Sequence, residues 1–523
     1  MRPTPRSFAT SATLVASVAC VAALAACGAP SGGGSGGGGT AATASSSHPD
    51  SILWVRPSAS NGFDGDKCVD TSIPLDPAVY DTLLTIKLPN GDGLAPGLAQ
   101  SWSWDAKTLT YTFDLQKNAK FSNGKPVTAA DVVFSVNQWV TGSFSGSYYV
   151  NIKKAVAVSP TTVAIEMKKT DTFLPDLLTW CTSPIYPANY AGEGKTAFFN
   201  KPIGAGPYEV TSYTDPEGSG EKITLKPNPY YYAYNGKPPA IKTFEVDTVP
   251  DASQRALMFQ SGQADLLDSV DAATASGLAK DTIKKTLPDS IWGLVLNVKS
   301  GPLADPKVRQ AISLGINRTV VAESMNNGSY AAKGYLPVNT PGTPAPTTPY
   351  AYDPAKAKQL ISESSSSKGL TVTLIFDGSD QSNEDMAQAL QQQLAAIGVT
   401  LKLQSTDSNT VNARMENGNY QMAFSGASSI SPTAFDPISW LAILYGWTGD
   451  KSQEVQDEFV KGTSTTVKSQ QLAAASAVQD FIMNGNALIG VVDTTATYAA
   501  QNWISGFTPL QYGTFYFNTI RTK

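Results

Sequence analysis

The stretch Ala119-Lys-Phe-Ser-Asn-Gly-Lys-Pro-Val-Thr-Ala-Ala-Asp-Val-Val-Phe-Ser135 carries the reading of the fold. Its Ser122-Asn-Gly-Lys-Pro126 segment is turn chemistry. Thr128-Ala-Ala-Asp131 reads as a capping box, with Thr128 as N-cap and Asp131 in place of the usual Glu. Val132, Val133, Val136 and Trp139 then recur at helical spacing, so a helix with one apolar face leaves the turn. Just upstream, Tyr111-Thr-Phe-Asp-Leu115 alternates as a half-buried strand does.

The same grammar continues outward. Further strands are predicted at Val163–Met167, Ile223–Lys226, Ile241–Val246 and Trp292–Val298, and helices at Lys307–Gly315 and Thr319–Met325. Pro354–Glu363 is a helix entered through Asp353, with proline at its first position. Thr371–Phe376, Glu384–Ile397 and Val399–Leu403 form a strand–helix–strand unit, its helix closed by Gly398. Such a unit implies a right-handed crossover onto one sheet. Pro337–Tyr350, rich in proline, reads as a long surface loop. The class is therefore mixed α/β, and a body this long must divide among more than one core, since single cores stop growing near ~250–300 residues.

The N-terminus reads as an export signal. Arg2 and Arg6 precede an uncharged apolar run, Ala12–Leu24, that is too short to span a bilayer as a helix. It ends in Leu24-Ala-Ala-Cys-Gly28, which is similar to a bacterial lipobox, so residues 1–26 are expected to be a signal peptide and Cys27 the lipidated new N-terminus. Residues 27–48, glycine-, serine- and threonine-rich, lack the apolar surface to repay ordering and are expected to be a flexible tether. No later stretch approaches 18 consecutive apolar residues. Cys68 and Cys181 remain in the body, and an oxidising compartment favours their pairing as a disulfide; two buried free thiols are the alternative.

Composition excludes whole classes of function. His48, inside the tether, is the only histidine, so no Ser-His-Asp or Cys-His nucleophile can be assembled in the body. Histidine-based zinc sites fall with it, and no Cys-x-x-Cys replaces them. Gly194-Lys-Thr196 lacks the earlier glycine of a phosphate loop, because Tyr190 stands there; Gly124-Lys125 runs into Pro126. A net charge of −5 offers no basic face for nucleic acid. The chain is expected not to be an enzyme and to need no cofactor or metal. A glycosidase built on a carboxylate pair is the one catalytic reading left open.

From Leu94-Ala-Pro-Gly-Leu-Ala-Gln-Ser-Trp102 onward the chain resembles the oligopeptide- and dipeptide-binding proteins of ABC importers, the solute-binding family 5. The resemblance continues through Leu109–Phe113, the stretch 119–135, Pro202-Ile-Gly-Ala-Gly-Pro-Tyr208, Pro227-Asn-Pro-Tyr-Tyr231 and Ser261-Gly-Gln-Ala-Asp265. Asn297, Pro302–Ile312, Tyr352–Lys358 and Gln391–Gly398 complete the ordered series over most of residues 75–445. It implies a bilobal, periplasmic-binding-protein-like fold of type II with an extra subdomain, two mixed α/β lobes joined by hinge strands. Lobe I would combine 49–85, 200–270 and 490–523, with 86–199 as its extra subdomain; lobe II would span 271–489. Ligand would lie between the lobes, and closure would present a new face to the permease.

Ligand contacts are harder to assign. In peptide-binding members a Trp-x-Gly-Asp stretch places a carboxylate on the peptide ammonium. The matching stretch here is Phe424-Ser425-Gly426-Ala427, with Ala427 where the aspartate would be; Asp436 could substitute. Trp54, Trp292, Trp440 and Trp447 are the aromatic candidates, with Trp180 and Tyr445 behind them. The implied function is an extracytoplasmic, membrane-anchored, monomeric receptor that gives a peptide or similar polar solute to an ABC permease. An oligosaccharide receptor of the same fold, or a ligand-sensing signalling lipoprotein, stays open.

Overall fold

A computed structural model describes residues 50–523, apart from 69–73, 88–92, 287, 289, 326–327, 366–368, 379, 430, 451–452 and 511–514. The expected export signal, the expected lipidation site at Cys27, the expected tether and His48 lie outside the described residues. Among the described residues no helix is long and apolar enough to cross a membrane.

Three sheets organise the chain. A seven-stranded mixed sheet runs in the order Ile283–Lys285, Thr497–Ala500, Leu266–Leu267, Ser51–Arg56, Thr243–Thr248, Lys222–Pro227, Tyr208–Thr214. Ser51–Arg56 lies parallel to both of its neighbours, and its alternating Ile52 and Trp54 feed one core. A six-stranded mixed sheet runs Tyr330–Ala331, Leu488–Thr494, Ser290–Leu296, Met422–Ser428, Leu370–Asp377, Val399–Thr406. Here Leu370–Asp377 and Val399–Thr406 pair in parallel across helix Gln381–Ala396, the crossover the pattern predicts. Gly398, at φ 89°, turns the chain out of that helix in the left-handed region. A four-stranded antiparallel sheet, Ala99–Asp105, Thr110–Leu115, Thr162–Met167 and Ile152–Ser159, is complete within one segment of the chain.

Helix Ala129–Thr141 covers the four-stranded sheet, and its cap is the one the residues predict. The Asp131 carboxylate accepts from Thr128 N and Thr128 Oγ1, both at 2.7 Å, and also from Ala188 N at 2.7 Å. Val132, Val136 and Trp139 are buried beneath it, and the Trp139 indole donates to Pro184 O at 3.1 Å. Cys68 and Cys181 form a disulfide with Cα atoms 5.9 Å apart, joining segments 113 residues distant.

The chain passes between the two large sheets at two adjacent places. It leaves strand Ile283–Lys285 for Ser290–Leu296, and it returns from Leu488–Thr494 to Thr497–Ala500. The crossings are tied together: Thr286 N donates to Ala496 O at 3.0 Å, and Ala496 N to Thr286 Oγ1 at 2.9 Å. Two short side-by-side connections of this kind suit a hinge.

Candidate functional site

A cavity of about 680 Å³ lies between the four-stranded sheet and the helices that cover the six-stranded sheet. Its first wall comes from strand alternation. In Ala99–Asp105 the side chains of Trp102 and Trp104 share one face, two residues apart, while Ser101, Ser103 and Asp105 take the other. Across the ladder they meet Phe113 and Tyr111, and the Trp104 and Tyr111 rings pack at 4.4 Å. Tyr111 is pinned by its hydroxyl, which donates to Asp171 O at 3.0 Å. The following segment brings Thr172, Phe173 and Asp176 to the rim.

The opposite wall is made by the loop at Pro341–Gly342, by 432–435 at the entry of helix Phe435–Trp447, and by the start of helix Lys468–Gly485. The walls already touch at one edge. Thr172 N donates to Thr463 O at 2.7 Å, Thr172 Oγ1 donates to Thr463 O at 3.1 Å, and Gln471 Nε2 donates to Thr172 Oγ1 at 3.2 Å. Phe173 packs edge-on against Phe459 with ring centres 5.9 Å apart.

Two charges face the cavity from opposite walls. Asp176 sits in the short helix Leu174–Leu177; burial pushes its carboxyl up to about 7, and Lys468 across the cavity pulls the other way. Among the described residues the carboxyl accepts a hydrogen bond from its own backbone N–H. Lys468 opens its helix, where the macrodipole disfavours a cation, so helix stability does not account for its place. Neither group forms an ion pair among the described residues. Between aromatic walls such charges act strongly on what lies between them.

The cavity lining includes none of the eight residues singled out as ligand contacts. Trp54 is fully buried in the core of the seven-stranded sheet, edge-on to Phe515 at 5.2 Å and beneath the Arg56 guanidinium at 4.8 Å. Trp292 is half-buried and donates its indole N–H to Asn383 Oδ1 at 3.0 Å. Ser425, Gly426 and Ala427 are buried in strand Met422–Ser428. A Cβ on Gly426 would come within 1.9 Å of Ile291 O and 2.6 Å of the Trp292 ring, so glycine is needed for the strands to pair. Trp440 donates to Gly426 O at 2.9 Å and packs edge-on against Trp447, ring centres 5.6 Å apart. Asp436 is buried and accepts from Ser431 N at 2.7 Å, fixing the turn that enters helix Phe435–Trp447. The structure thus gathers Gly426, Asp436, Trp440 and Trp447 behind the second wall, whose lining residue Phe435 adjoins Asp436. The residues that face the cavity, Trp104, Phe173, Asp176 and Lys468, carried little sequence signal beyond the spacing of the two tryptophans.

Comparison with known proteins gives this geometry its family. Residues 93–451 match the bacterial extracellular solute-binding proteins, family 5. The glutathione-binding protein GsiB of Escherichia coli strain K12 is 26% identical over 434 residues, covering 78% of this chain and 82% of that one. NikA from Brucella suis, solved in complex with Fe(III)-EDTA, superposes with a TM-score of 0.81 at 22% identity, over 90% of this chain and 100% of that one. The periplasmic binding protein DppA from Helicobacter pylori, solved with the peptide STSA, superposes at 0.77 and 21% identity, over 90% and 98%. These neighbours share its bilobal α/β fold, and the long family match through both the aromatic wall and its opposite face settles the assignment: the chain belongs to the bacterial extracellular solute-binding proteins of family 5.

Proposed function

We propose that the protein is an extracytoplasmic receptor that captures a peptide or a polar solute of similar size in the interlobe cavity and delivers it to an ABC import permease. The observation that carries this reading is the pairing of Asp176 and Lys468, unpaired charges of opposite sign on the two walls. A zwitterion presents an ammonium to one and a carboxylate to the other, and each charge-assisted bond closes the walls further. The relatives named for glutathione and the neighbour holding a tetrapeptide agree with such a ligand. One lobe would comprise 49–85, 200–270 and 490–523 with 86–199 as its subdomain, and the other 271–489. Gly426, Asp436, Trp440 and Trp447 would act by holding the second wall in shape. Lipidation at Cys27 would keep the receptor beside its permease.

The aromatic panel of Trp102, Trp104 and Tyr111 supports an oligosaccharide as a second reading, because sugar rings stack on such faces. Native mass spectrometry of the gently purified protein, before and after denaturation and refolding, separates the two. A set of peptide masses lost on refolding supports peptide capture. A sugar adduct, or an empty protein that later takes sugars and refuses peptides, replaces it with the second reading.

A further inference from the structure

We propose a second binding site, for a small organic ammonium ion, in a separate cavity walled by Asp76, Tyr80, Asp81, Trp180, Tyr231 and Tyr232. The cavity holds about 340 Å³, within the roughly 300–1,000 Å³ that small-molecule sites occupy. No residue lines both cavities, so it is distinct from the one beside the aromatic wall.

Its polar groups are unfinished. Asp76 is only 4% exposed, and among the described residues its Oδ1 has no hydrogen-bond partner; the same holds for the Tyr80 hydroxyl, 4% exposed, and the Trp180 indole N–H, 6% exposed. Buried polar atoms left so are rare, and three around one cavity point to something that completes them. Asp81 accepts from Tyr232 OH at 2.8 Å and Thr82 N at 2.9 Å, but it too lacks a cation. The nearby guanidinium of Arg56 is committed to Asp268 at 3.0 Å. Burial pushes both carboxyls up, that of Asp81 to about 7 and that of Asp76 against the pull of Arg56, so a cation entering this space would stabilise their charged forms.

The walls choose the kind of cation. Tyrosine and tryptophan rings attract diffuse, weakly hydrated cations such as alkylammonium ions. A metal ion is a poorer fit. The atoms close enough to Asp76 to share one are the sulfurs of Cys68 and Cys181, and these are joined in the disulfide, leaving no thiolate to donate. An amine in this space would meet the carboxyls by charge and the rings by their faces.

Calorimetric titration of the whole protein with tetramethylammonium and butylammonium chlorides tests the site, with sodium chloride at equal ionic strength and tert-butanol as a neutral shape match. One-to-one saturable binding of at least one ammonium probe is expected, weakened tenfold or more in D81N and in D76N, with D81N deciding if D76N fails to fold. D176N, which alters the other cavity, should leave this binding in place. The proposal is overturned if neither ammonium binds better than sodium, if tert-butanol binds as well, or if D81N binds undiminished. Loss of binding in D176N but not in D81N would also overturn it, by moving the cation to the interlobe cavity.

Discussion

Replacing Arg318 by lysine keeps a positive charge in helix Arg318–Ser324 but should unfasten a wall of the interlobe cavity. The guanidinium is buried, and among the described residues it has no carboxylate partner. Its Nε donates to Gly490 O at 2.7 Å, Nη1 to Ser313 O at 3.2 Å and Nη2 to Ser313 Oγ at 3.2 Å, and it lies 3.9 Å from the centre of the Tyr350 ring. Tyr350 in turn accepts from Gly490 N at 3.0 Å and ends the proline-rich loop whose Pro341 and Gly342 line the cavity. A lysine nitrogen cannot span these acceptors. Losing two charge-assisted bonds, each ~1.5–3 kcal/mol, removes about 3–6 kcal/mol. The lost stacking on Tyr350 adds about 1–2 kcal/mol, and a buried lysine recovers part of this by shedding its proton. A net loss of about 4 kcal/mol follows, read as a lower urea midpoint. Ligand affinity should fall as well, because the loop that carries Pro341 and Gly342 loses its Tyr350 anchor. A variant within about 1 kcal/mol of the parent would refute the reasoning, since it would mean that the planar fork is not what secures the loop.

Other outcomes are expected from single groups. Burial raises the Asp493 carboxyl to about 7, so the folded protein keeps a proton that the unfolded chain releases near 3.8; stability should therefore fall as pH rises from about 4 through 7. D493N should lose that dependence, gaining on the parent at pH 8 relative to pH 5 in urea titrations; an equal difference at both pH values would count against it. Reducing the Cys68–Cys181 bond should cost about 4–5 kcal/mol in the chain-entropy picture, seen as a drop in Tm under reductant. T172V keeps the side chain's shape but removes the hydroxyl that bridges to Thr463 and Gln471. It should weaken ligand binding several-fold through a less favoured closed state, while the urea midpoint stays close to the parent's.

Local chemistry was legible where it is decided by neighbours in sequence. The Thr128–Asp131 cap, the Asp353–Pro354 helix entry and the parallel pair on either side of Gln381–Ala396 all stand where their residues predict. Gly204, in the quoted Pro202–Tyr208 stretch, sits where a Cβ would strike Val79 O at 1.9 Å. The cavity was less legible. Alternation says that Trp102 and Trp104 share a face, but not that the helices over the six-stranded sheet cover it. Asp176 and Lys468 lie almost 300 residues apart and look like any surface charges until the fold opposes them. Trp54 illustrates the converse, an aromatic near a lobe edge in sequence that the parallel neighbours of its strand enclose completely.

The position of strand Thr497–Ala500 has a consequence for how the protein is made. It sits inside the seven-stranded sheet, between Ile283–Lys285 and Leu266–Leu267, so the sheet begun by Ser51 cannot close until residues 497–500 are made. The six-stranded sheet waits nearly as long, for Leu488–Thr494. At synthesis rates of ~5–20 residues per second, the roughly 230 residues between Leu267 and Thr497 leave the edge at Leu266–Leu267 open for about 10–50 s. Only the four-stranded sheet, finished between residues 99 and 167, can fold as it emerges. A nascent chain stalled before residue 497 would hold one folded module beside two incomplete, adhesive sheets, so strand Thr497–Ala500 acts as the step that commits them both.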